Sequence, residues 1–69
     1  MNLDERGQEI LDLYPNDNLT LTQCRVAVFH CELAGWRWLG TSNGLIHLAR
    51  ETGLETSTQI TIDTQGVVK

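Results

Sequence analysis

"TSNGLIHLARETG", residues 41–53, begins with polar and small residues, runs through an apolar stretch and closes on glycine. As a helix it has a start, a face and a stop. Ser42 or Asn43 offers a side-chain oxygen for the N-cap. Leu45, Leu48 and Ala49 fall at helical spacing on one side, and Gly53 stands where a C-terminal glycine ends a helix. The spacing predicts a helix over residues 44–53. His47 lies off the apolar stripe and reads as a solvated polar residue.

Just upstream, "GWRWLG" (35–40) holds both tryptophans of a chain with one tyrosine and one phenylalanine besides. In extended geometry Trp36 and Trp38 point the same way and Arg37 points opposite. Two readings stay open. Each large aromatic buries ~150–250 Å², so the indoles can supply much of a small core. Trp and Arg also dominate binding hot spots, which makes Trp36, Arg37 and Trp38 candidate partner contacts.

Further back, "LTLTQCRVAVFHCELAG" (19–35) carries helix signals at both ends. Thr20 caps it, Gln23 completes a capping box, Leu19 and Cys24 are placed as a staple, and Gly35 ends it. A helix over 21–34 has one apolar face in Cys24, Ala27, Val28 and Cys31, and a second in Val26, Phe29 and Leu33, so it is expected to be covered on two sides. The alternative is a β-hairpin over residues 25–41 that sets Glu32 against Arg37. Ala34-Gly35 is not a favoured hairpin turn, and the helix is preferred.

The N-terminal helix, 3–13, starts at Asn2, with Glu5 three residues on. Leu3, Ile10, Leu13 and Tyr14 share a face, while Asp4, Glu5, Glu9 and Asp12 share the other. Pro15 stops it, and Gly7 on the apolar side marks a close approach by another backbone. Downstream, Thr58, Ile60 and Ile62 alternate with polar residues, a half-buried strand pattern. A β segment or hairpin is expected over about 58–68. The expected fold is therefore a single helix-rich α+β domain spanning 1–69, with three short helices and a C-terminal β element.

Composition narrows the chemistry. Seven residues of helix would hold the Cα atoms of Cys24 and Cys31 roughly 10.5 Å apart, beyond the ~7 Å that a disulfide spans. A strand would put them on opposite faces. Reduced thiols fit a cytoplasmic protein. There is no Cys-x-x-Cys pair and no closely paired histidines, so no metal is expected. No spacing joins Ser42 or Ser57 to His30 or His47 as nucleophile and base, and "GTSNG" lacks the lysine of a phosphate loop. No catalysis and no cofactor are expected. No apolar run approaches ~18 residues, so no membrane span is expected either. The net charge is −4, and Arg6, Arg25, Arg37, Arg50 and Lys69 are dispersed, which disfavours nucleic acid.

Residues 45–58, "LIHLARETGLETST", resemble the helix-turn-helix of bacterial DNA-binding proteins, including winged-helix domains. Ala49, Gly53 and Leu54 match the small-residue, turn-glycine and apolar positions of that family. The resemblance implies DNA binding in which Ser57, Thr58, Gln59 and Thr61 read base edges and Arg50 holds phosphate. Gln59 stands where the family has an apolar residue, with Ile60 one place late.

The residues read on their own point instead to a small acidic, non-catalytic protein that docks on a protein partner as adaptor or inhibitor. Phage anti-defence proteins are one form of that class. The acidic face Asp4, Glu5, Glu9 and Asp12, together with Trp36, Arg37 and Trp38, is the expected contact surface. A homodimer is a second expected form, because a chain this short buries only about 60% of its unfolded surface.

Overall fold

The computed structural model describes residues 2–69. Helix α1 (Leu3–Leu13) and helix α2 (Leu21–Leu33) are followed by strands β1 (Arg37–Ser42), β2 (Leu45–Gly53) and β3 (Thr56–Ile62). The strands form one antiparallel sheet in the order β1-β2-β3, and α2 packs on β2 and β3. The class is α+β, with two helices and a three-stranded sheet.

Both helices begin as their caps dictate. The N–H of Glu5 donates to the Asn2 side chain at 3.0 Å. At Thr20 both halves of the capping box are present. Gly7 is buried, and a Cβ there would lie 3.1 Å from Leu21 Cδ1 and 3.4 Å from the Arg25 backbone nitrogen, so the glycine lets α2 come close to α1. Arg6 ties the two helices together through Glu32 at 2.7 Å.

The expected helix over 44–53 is not formed; those residues are the turn and β2. Asn43 and Gly44 both have positive φ, 32° and 87°, and Ser42 pairs with Leu45 across them. That is a two-residue hairpin loop of the type I′ pattern, whose twist suits the strands it joins. Tertiary burial completes the choice. As a strand, β2 turns Ile46 and Leu48 together onto the helix side, where both are fully buried.

The alternative hairpin over 25–41 is also overturned. Residues 25–33 belong to α2, and β1 pairs with β2 instead. The C-terminal β element expected over 58–68 starts earlier, at Thr56, and pairs mainly with β2. The chain then turns at 63–66 and returns through an isolated Ile62–Val68 bridge.

The fully buried apolar cluster is small: Cys24 and Ala27 from α2, Ile46 and Leu48 from β2, and Ile62 from β3. Gln23 is as buried as any of them. Its Nε2 donates to the carbonyls of Gly44 and Ile62, each at 3.0 Å, and its Oε1 accepts from Thr20 N–H at 2.7 Å. One side chain thus pins the start of α2 to the β1–β2 turn and to the end of β3. The helices cover only one side of the sheet; His47, Gln59 and Arg37 lie on the other.

The turn yields a discriminating test. A helix start would gain from Gly44→Ala, whereas a left-handed φ of 87° costs alanine about 1–2 kcal/mol. Urea unfolding of the Gly44→Ala variant is expected to show that loss; a gain would mean residues 44–53 are helical.

Candidate functional site

The acidic face of α1 is partly neutralised within the fold. Asp4 accepts from Arg25 at 2.8 Å, and Glu9 lies 3.7 Å from Arg6. Asp12 accepts from Gln8 Nε2 at 3.1 Å, and the Glu5 side chain is exposed. The tryptophans face the core, and both are half-buried against it. Trp38 stacks on Tyr14 with ring centroids 5.7 Å apart. Trp36 lies edge-on to His30 and beneath the Arg50 guanidinium, 4.7 Å from the ring centroid. Arg37, between them, is exposed on the opposite face.

Arg50 has a structural role that spacing along the chain did not suggest. Besides covering Trp36, it donates to the Ala34 carbonyl at 3.4 Å, placing a cation at the C-terminal end of α2 where the helix dipole favours it.

Ser42 and His47 do meet, contrary to the expectation that no nucleophile pairs with a base. Ser42 Oγ lies 2.7 Å from His47 Nε2. The pair flanks the hairpin turn on the open face of the sheet, and among the described residues no carboxylate hydrogen-bonds the ring. In hydrolase triads a third group of that kind orients the base.

Cys24 and Cys31 are free thiols. Burial pushes Cys24 up to about 11. Cys31 is raised by burial first and then by the Glu32 charge, and both shifts run opposite to the lowering that activates a thiol. Among the described residues no group of three or more His, Cys, Asp or Glu side chains is arranged to hold a metal. No helix among the described residues is long and apolar enough to cross a membrane.

The surface that stands out lies at the far end of the β2–β3 hairpin. Pairing of β1 with β2 ends at Arg37–Ala49, and the returning C-terminal segment reaches only residues 61–63 of the β3 side. Beyond those points the hairpin continues as a two-stranded ribbon, through Arg50–Thr58, Glu51–Ser57 and Gly53–Thr56. Every residue from 50 to 59 is exposed. At the tip, Leu54 is 97% exposed and Glu55 has φ 64°.

Ser57, Thr58 and Gln59, singled out as base-reading residues, and Arg50, singled out for phosphate, come together on this ribbon. Thr61, the last of that set, lies within the body of the sheet, opposite His47. Residues 45–58, which carry the resemblance to helix-turn-helix domains, form β2, its turn and the start of β3. The ribbon was missed as a surface because it exists only once β2 is a strand. No family model matches the chain, and no curated protein or solved structure matches it either.

Proposed function

We propose that the protein works without catalysis, by docking the β2–β3 ribbon onto a protein partner as an adaptor or inhibitor. One observation carries this reading: past Arg50, which lies over Trp36, the ribbon is exposed on both faces and unpaired along both edges, and it ends in a bare leucine. A two-stranded ribbon with no covered face is marginal in water. Its free edges are templates for an added strand. Leu54 supplies an apolar anchor, and Glu51 and Glu55 beside it favour a partner whose pocket has a basic rim.

A second reading has its own support. A two-stranded ribbon fits the DNA major groove, and Ser57, Thr58, Gln59 and Arg50 lie on this one. Glu51 and Glu55 would then meet phosphates, and the net charge of −4 opposes approach. The protein partner is the better match.

The test is Leu54→Asp. At a position this exposed, stability is expected to stay within about 0.5 kcal/mol of wild type. Partner retention in a pull-down is expected to fall by at least about thirtyfold, the loss of one hot-spot contact. A partner held equally well by the variant would sink the reading. So would a duplex-DNA mobility shift at low salt that Arg50→Glu abolishes.

A further inference from the structure

Helix α2 has a second apolar face that is covered only toward its N-terminal end, where Gly66 of the C-terminal turn packs against Thr22 and Val26. Its first face, Cys24, Ala27 and Val28, is buried. Its second runs Thr22, Val26, Phe29 and Leu33, a spacing of 4, 3 and 4 that matches the a/d seam of a coiled coil. Phe29 is 48% exposed and Leu33 62%. A groove of about 270 Å³ lies beside the N-terminal half of the seam, next to the start of α1, lined by Leu3, Thr22, Arg25, Val26 and Phe29.

The flanking charges indicate what fits there. Arg25 immediately precedes Val26, and Glu32 immediately precedes Leu33, so both occupy the same flanking position of the seam. Lay a second α2 antiparallel on the first. Val26 then meets Phe29 of the second copy, and Thr22 meets Leu33. In that register Arg25 of each copy approaches Glu32 of the other, once on each side of the twofold axis. The surface is complementary to itself, as an isologous interface requires.

The charges already have anchors. Arg25 is held by Asp4 at 2.8 Å and Glu32 by Arg6 at 2.7 Å, so the cross-pairs would extend each ion pair into an alternating row of Asp4, Arg25, Glu32 and Arg6. A seam of this kind would also enlarge a core that one short chain leaves small.

We propose that a second copy of this chain docks on the Val26–Phe29–Leu33 face of α2, antiparallel and about a twofold axis. This interface is separate from the β2–β3 ribbon, and its test does not involve Leu54.

The experiment is sedimentation equilibrium of the full chain over a concentration series, with circular dichroism to confirm folding. Wild type is expected to reach twice the chain mass. Phe29→Asp is expected to weaken the dimer by at least about thirtyfold. Leu33→Asp, at the end of the helix and more exposed, gives the same readout if the first variant loses its fold. Arg25→Glu alone is expected to weaken the dimer, and mixing that chain with a Glu32→Arg chain to give a mixed dimer, because the like-charge contacts each variant makes with its own Asp4 or Arg6 are the same before and after mixing.

A wild-type chain that stays monomeric up to about 1 mM would overturn the proposal. A dimer indifferent to Phe29→Asp and Leu33→Asp would overturn it too, and would place the contact elsewhere, for example along the open edge of β1. Failure of the Arg25→Glu and Glu32→Arg chains to pair on mixing would overturn the antiparallel register.

Discussion

Gln23→Glu is expected to unfold the protein at neutral pH. The wild-type amide gives both of its N–H donors to carbonyls, those of Gly44 and Ile62, and none of its surface reaches water. A carboxylate there would keep the Thr20 N–H on one oxygen, but its other oxygen would face the two carbonyls with nothing to donate. An uncompensated buried charge costs about 3–5 kcal/mol. A single core in a chain of this size rarely supplies more than that.

The loss should depend on pH in a definite direction. Burial beside carbonyl oxygens raises the folded pKa of the introduced carboxyl above its unfolded value of about 4.3. The penalty is therefore present in full above the folded pKa and shrinks as pH falls toward the unfolded value, where the protonated acid can donate to one carbonyl. Thermal melts at pH 7 and pH 4.5, each compared with wild type at the same pH, should show the difference narrowing at the lower pH. Equal losses at both would mean that the amide's partners are wrongly assigned.

Leu48→Ala is the second large effect. Leu48 is fully buried in the central strand, among Cys24, Ala27, Ile46 and Ile62. Truncating such a leucine costs about 2–5 kcal/mol through lost transfer energy and the remaining cavity. In a domain this small each kcal/mol lowers the melting temperature by roughly 4–8 °C, so a drop of at least about 10 °C is expected. Leu54→Ala, in the same hairpin, provides the control and should melt within a few degrees of wild type. Similar losses for the two leucines would contradict the inward orientation of β2.

The two helices were legible because their signals are local. Asn2, Thr20 and Gln23 sit at cap positions, Pro15 and Gly35 sit at stops, and the structure uses them in those roles. Residues 41–53 carried two local messages at once. Ser42 and Asn43 are good N-caps, and Leu45, Leu48 and Ala49 fit a helical stripe. That stripe, however, leaves out Ile46, which is fully buried. The competing signal was Asn43-Gly44 itself, the dipeptide best suited to a type I′ hairpin. The β reading was hard to see because β2 is apolar on both faces near its start. Leu45 and Ala49 alternate with Ile46 and Leu48, so period two is blurred.

The candidate surface followed the fold. Arg50, Ser57, Thr58 and Gln59 stood out for their hydrogen-bonding chemistry, and their assembly on a ribbon depends on β2–β3 register. Nothing in the local sequence says that β1 begins only at Arg37 and leaves the outer half of the hairpin unsupported. The tryptophans illustrate the opposite case. Their alternation with Arg37 correctly separates the two faces, but only tertiary packing shows that Tyr14 and Arg50 occupy the indoles.

The order of elements along the chain also bears on how fast the protein can form. Its largest contacts join chain neighbours, α1 with α2, β1 with β2, and β2 with β3. Closing short loops costs little entropy, and topologies rich in local contacts fold quickly. The helix pair and the three-stranded meander can each close without waiting for the other. The Gln23 amide, by contrast, meets carbonyls 21 and 39 residues further along. Its bonds form when the two halves come together, which makes that docking the step that commits the chain to its native state.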